Sequence, residues 1–174
     1  ALSGYMPPIT TQDFVIGQGS SASSADASCA VCDDTVPVAD SKYGLHLPLG
    51  INGYFTLEEG LAVAKKTGKP VFVDVTGHGC VNCREMEARV WSDERVLNHL
   101  RNNYVICALY VDDKKVVAEE DWLVTDKGKT LKRLGEINSH ILREFGASAQ
   151  PYYVLISPDG EVLVDPRAYD LDVD

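Results

Sequence analysis

The chain has no apolar run approaching the ~20 residues needed to cross a bilayer, and no basic-then-apolar leader at its start. The expectation is therefore either a mature or excised piece of a longer protein, or a cytosolic one. Basic residues are scarce: 16 Lys and Arg stand against 26 Asp and Glu, giving a net charge of −10. With no basic patch to neutralise phosphates, this balance argues against a nucleic-acid partner and disfavours adsorption to anionic lipid. Cysteine is too sparse and too clustered for a disulfide-stapled scaffold, with five residues at Cys29, Cys32, Cys80, Cys83 and Cys107. No internal repeat is visible. The 174 residues leave room for one domain with a real core and a modest extension.

What the chain does have is Cys80-Val81-Asn82-Cys83 directly behind the apolar run Pro70-Val71-Phe72-Val73-Asp74-Val75. A Cys-x-x-Cys between a buried strand and a helix puts the first thiol at the helix N-terminus. Unpaired backbone N–H groups and the helix dipole favour a thiolate there, with thiol pKa values falling anywhere within ~3.5–7.5. The second thiol, one turn later, can attack a mixed disulfide formed by the first. Such a pair performs thiol–disulfide exchange.

Along the chain, residues 1–42 read as a flexible tether: Pro7-Pro8 blocks regular structure, and Gly17 to Ala25 is small and polar. Order is expected from Tyr43. Thr56 with Glu59 forms a capping box, Leu57, Leu61 and Ala64 make an apolar stripe, and Gly68 ends the helix. Val71 to Val75 suits a strand buried on both faces. A helix is expected from Cys80 through Glu87 and Val90. Another starts behind Ser92, with Asp93 and Glu94 in its first turn. Tyr104 to Val111 is the next core strand, and the charged stretch Asp112 to Gly135, with a turn at Asp126-Lys127-Gly128, reads as an insertion. Ile137, Ile141, Leu142 and Phe145 give a short helix closed by Gly146. Tyr152 to Ile156 and Glu161 to Val164 form a hairpin around Ser157-Pro158-Asp159-Gly160. The element order implies an α/β sandwich.

These residues resemble the thioredoxin fold. Asp74 stands six positions before Cys80, and Gln150-Pro151 precedes a strand where such proteins carry a cis-proline facing the dithiol. The strings Gly77-His78-Gly79-Cys80-Val81-Asn82-Cys83-Arg84-Glu85-Met86-Glu87, Val90-Trp91-Ser92-Asp93 and Leu109-Tyr110-Val111-Asp112-Asp113 resemble the C-terminal periplasmic domain of DsbD-type thiol:disulfide interchange proteins. The resemblance runs from Tyr43 to Asp174. It implies a thioredoxin-like α/β fold, a central mixed sheet flanked by helices, with an insertion before the helix that leads to the cis-proline. It further implies a monomeric, extracytoplasmic disulfide reductase, attached to the membrane only through its tether. Electrons would pass from a membrane-embedded donor domain to extracytoplasmic thiol proteins. No metal and no cofactor beyond the cysteine pair is expected. Two departures stand out: Gly79, preceded by His78, where the family often has tryptophan, and an end at Asp174 where the fold normally adds a closing helix.

Cys80 is expected to be the nucleophile and Cys83 the buried resolving thiol. The alternative is a zinc site shared with Cys29 and Cys32, for which the two pairs stand too far apart along the chain. Asp74, alone among apolar strand residues, is expected to be desolvated with a raised pKa and to take the Cys83 proton as general base. Glu87, four residues after Cys83, is the second such group or else a solvated helix residue. Gln150, Pro151, Gly79 and His78 form the expected substrate-binding surface, with His78 tuning the thiolate or serving only as a polar loop residue. Cys107 is expected to be an inert core thiol, and His46, His99 and His140 surface residues. Cys29-Ala30-Val31-Cys32 is a second exchange pair or an incidental dithiol. The competing functions are a free-standing thioredoxin-like reductase or isomerase, and a scaffold or metal-binding module on the same fold.

Overall fold

The structure is a computed structural model and describes residues 41–173. Of the tether expected over residues 1–42, all but the last two residues, and with them Cys29 and Cys32, lie outside the described residues. Five strands form one mixed sheet in the order β1-β3-β2-β6-β7. They are β1 (Gly53–Tyr54), β2 (Val71–Thr76), β3 (Val105–Tyr110), β6 (Tyr152–Ile156) and β7 (Arg167–Ala168). β3 runs parallel to β1 and β2, whereas β6 is antiparallel to both β2 and β7.

The sheet is covered on both faces, which is why β2 and β3 are so continuously apolar. On one side Val71, Val73 and Val75 meet α1 (Leu57–Thr67) and Leu142 of α4 (Leu134–Glu144). Alternation along the strands turns Phe72 and Ile106 the other way. There they pack with Met86, Val90, Trp91 and Leu100, carried by α2 (Val81–Met86), the turn after it and α3 (Glu94–Asn103). The same alternation turns Asp74 towards the α2 side.

Thr56 caps α1 by accepting from the Glu59 N–H at 3.3 Å, and Gly68 ends it at φ 69°. Both agree with the sequence. The expected helix through Val90 instead breaks at Glu87 into a π-helical turn over Glu87–Trp91. This keeps Glu87, Val90 and Trp91 all buried. α3 begins one residue later than expected, because Asp93 is the cap and accepts from the Arg95 N–H.

Two boundaries need correction. The insertion from Asp112 to Gly135 contains a 3-10 turn at Glu119–Asp121 and a hairpin of β4 (Leu123–Val124) and β5 (Thr130–Leu131) around the expected Asp126-Lys127-Gly128 turn, but it ends earlier than expected. Its last residues, Leu134 and Gly135, already belong to α4, where both are buried. The hairpin expected from Glu161 to Val164 is reduced to one bridge, Ile156 to Val162, and the ladder resumes at β7. Val162, Leu163 and Val164 are each about half exposed, so no packing face holds them in a strand. Among the described residues no helix is long and apolar enough to cross a membrane.

Candidate active site

β2 ends at Thr76, and the turn Gly77-His78-Gly79 carries the chain to Cys80, the N-cap of α2. Cys80 Sγ accepts from the Cys83 N–H at 3.2 Å, and the two sulfurs form a disulfide with Cα atoms 5.3 Å apart. Cys80 is half-buried, whereas Cys83 is only 1% exposed. An incoming sulfur therefore reaches Cys80 first.

The turn is gripped from β3. His78 and Gly79 donate their backbone N–H groups to Asp112, at 2.8 Å to Oδ1 and 3.0 Å to Oδ2. The His78 ring bonds Asp113 Oδ2 at 2.7 Å and lies over Tyr110, ring centroids 4.6 Å apart. Burial is the largest single influence on the Asp113 carboxyl and raises it, but the His78 bond, the Lys115 N–H and the charges of both residues together bring it below its ordinary value. Gly77 has no room for a side chain, since a Cβ there would lie 2.9 Å from both Asp112 Oδ2 and Gln150 Oε1.

The Gln150–Pro151 bond is cis. β6 pairs Tyr152 with Val75, so Pro151 stands at the end of β2 from which the dithiol turn leaves. Pro151 is buried and Gln150 exposed against Gly77. The sheet register thus brings Gly79, His78, Gln150 and Pro151 to one end of the fold, beside Cys80.

β2 and the turns after Cys83 also carry a largely buried charged cluster. Asp74 is 2% exposed, and burial, reinforced by the nearby Glu87 charge, pushes its carboxyl up to about 8. Burial also raises Glu87, to about 7. Arg84 opposes both shifts: its guanidinium bonds Glu87 Oε1 at 3.1 Å and donates to Thr76 Oγ1 at 2.9 Å. The buried Arg84 Nε makes no hydrogen bond. Glu87 is therefore not a solvated helix residue. Two carboxyls that titrate near neutral pH, one of them a helical turn after a buried thiol, have the acidity to accept its proton as it becomes a nucleophile.

Sequence reasoning missed Asp112, Asp113, Thr76 and Arg84. The paired aspartates at the end of β3 were the available signal, since acidic side chains there fall level with the end of β2. The bonding of Arg84 to Thr76 has no signature at the level of residue spacing. Elsewhere, Cys107 is fully buried and donates to Thr56 O, and burial pushes its thiol far up. His46 and His99 are exposed, and His140 is half-buried. Among the described residues no group of three or more His, Cys, Asp or Glu could hold a metal ion.

Comparison with curated proteins finds no match. Among solved structures, the DsbH oxidoreductase superposes with a TM-score of 0.51 at 16% identity, over 72% of this chain and 80% of that one. A thioredoxin from Thermus thermophilus gives 0.46 at 22% identity, over 67% and 75%. The reduced C-terminal domain of Neisseria meningitidis DsbD gives 0.45 at 19% identity, over 65% and 81%. The first of these bears out the fold. The model of the thioredoxin-like domain family matches residues 57–166, from the first helix through the dithiol and the cis-proline to just before the last strand. The chain belongs to the thioredoxin-like domain family.

Proposed function

We propose that this chain is a thiol:disulfide oxidoreductase that acts as a reductant through Cys80 and Cys83. The observation that carries the reading is the Cys80–Cys83 disulfide, with its leading residue half-buried, its second buried, and the buried carboxyls Asp74 and Glu87 on the strand before it and the helical turn after it. In the reduced protein the Cys80 thiolate attacks one sulfur of a substrate disulfide. The S–S bond breaks, a mixed disulfide forms, and the other substrate sulfur leaves as a thiolate that takes up a proton. Cys83 then loses its proton to the Asp74–Glu87 pair and attacks Cys80 Sγ, which releases the second substrate thiolate. Two electrons have passed to the substrate, and the protein is left as the Cys80–Cys83 disulfide.

The backbone at Gln150-Pro151 and the exposed Gly79 and His78 would receive the extended segment carrying the substrate disulfide. The electrons that reset the pair would come from a membrane-embedded domain, and the acceptors would be extracytoplasmic thiol proteins. The DsbD-type sequence strings support that placement. The protein would work as a monomer, without nucleic acid, and reach the membrane only through its tether.

Trapping tests the reading. Cys83→Ser should accumulate a stable mixed disulfide through Cys80 with a disulfide-containing protein, and Cys80→Ser should form none. Exchange that survives in Cys80→Ser would contradict it.

A further inference from the structure

In the Gly77–Gly79 turn only His78 has a side chain to anchor it, yet the turn leads directly into Cys80. Its two free backbone donors do not point to solvent or to the cysteine. Both are taken by one carboxylate, that of Asp112, at 2.8 and 3.0 Å. The same carboxylate sits 3.8 Å from where a Gly79 Cβ would be and fills the space a Gly77 side chain would need. Asp112 lies two residues past the end of β3, whose Tyr110 pairs with Thr76, so the sheet register itself delivers it to the turn. The neighbouring Asp113 does a separate job, holding the His78 ring.

We propose that Asp112 is a positioning residue for the dithiol: it fixes the turn before Cys80, removes two backbone donors from the thiolate's reach, and adds a negative charge beside it, so that the pair is kept reducing. This rests on the oxidoreductase reading above. A thiolate is stabilised by nearby N–H donors and destabilised by nearby anions, and the less stable the reduced form, the stronger the reductant. The other charged groups around the motif are Asp74 from β2, Arg84 and Glu87 following Cys83, and His78 with Asp113. Arg84 is occupied by Glu87 and Thr76, and His78 by Asp113. Asp112 is the anion bound directly to the turn that leads into Cys80.

The test is the equilibrium of the protein disulfide with two molecules of reduced glutathione, giving the protein dithiol and oxidised glutathione. Asp112→Asn should shift it towards the dithiol by roughly three- to tenfold, tenfold being about 30 mV for this two-electron couple. The Cys80 thiol should titrate lower in the same variant. Asp113→Asn, which alters the bonds to the His78 ring and the Lys115 N–H but leaves both turn donors on Asp112, should shift the equilibrium less than twofold. An unmoved equilibrium and thiol titration in folded Asp112→Asn, or an equal shift in Asp113→Asn, would overturn the assignment. A wild-type protein that does not exchange with glutathione would instead overturn the oxidoreductase reading and this one with it. Amide hydrogen exchange on the wild-type protein needs no variant. The His78 and Gly79 amides should be protected at least tenfold, and exchange at the rate of an open loop would overturn the proposal even if Asp112→Asn fails to fold.

Discussion

The Glu87 carboxylate lies 3.1 Å from the Arg84 guanidinium, across one turn of the helix that begins at Cys80. With buried Asp74 nearby, this gives two buried acids and one half-exposed base, Glu87 standing one helical turn after Cys83. Fully ionised, the three would carry a net negative charge at low dielectric, so the two acids titrate as a coupled pair that retains a proton near neutrality. Arg84 keeps that proton mobile. Without it both carboxyls would stay protonated and be poor acceptors.

Replacing Arg84 by Met should therefore slow mixed-disulfide resolution at pH 7 by about three- to tenfold, in the range of a weakened general base. The loss should shrink as pH rises and the carboxyls ionise again. Rapid-quench measurement of resolution from pH 6 to 9 checks it, and a pH profile identical to the wild type would show that Arg84 only packs.

Asp74→Asn should slow the same step while stabilising the fold in alkali. The folded state holds the Asp74 proton to about pH 8, against 3.8 when unfolded, so between those values the unfolded chain binds fewer protons. Stability then falls as pH rises through that window. Asparagine cannot ionise and escapes this loss. The variant should melt with the wild type near pH 4 and several degrees above it near pH 8, a gain on the order of a few kcal/mol. Equal melting at pH 8 would contradict a desolvated Asp74.

Alkylation of the fully reduced protein near neutral pH should modify Cys80 before Cys83, since Cys83 is 1% exposed. Peptide mapping after short exposure to iodoacetamide reads the order. Cys83 reacting first would reverse the assigned roles.

Gly135→Ala should destabilise the protein by about 2–4 kcal/mol through overpacking. A Cβ at this position would stand 2.6–2.8 Å from the backbone of Val111 and Asp113, atoms that cannot swing aside. Because Asp112 lies between them, the turn should loosen too. Denaturant unfolding gives the stability, and a change below 0.5 kcal/mol would contradict the tight crossing of α4 over the end of β3.

The parts of the fold legible in the sequence are those where local chemistry and burial agree. Thr56 and Gly68 bracket α1 because cap and left-handed terminator are single-residue signals. β2 is legible because both its faces are covered. The Glu161–Val164 strand failed because β-branched residues with nothing to pack against leave the chain irregular. Likewise, the dithiol and Asp74 could be found from spacing along one strand and one helix. Asp112 could not be assigned its bonds to His78 and Gly79, which depend on the parallel pairing of β2 with β3, and spacing alone does not give that.

The central claim is that Cys80 and Cys83 form a reducing pair, and its most direct test is their reduction potential, measured by equilibration with glutathione and thioredoxin standards. The pair should lie at the reducing end, near thioredoxin's ~−270 mV. A value near ~−120 mV, that of a strong oxidant with a highly stabilised thiolate, would contradict it.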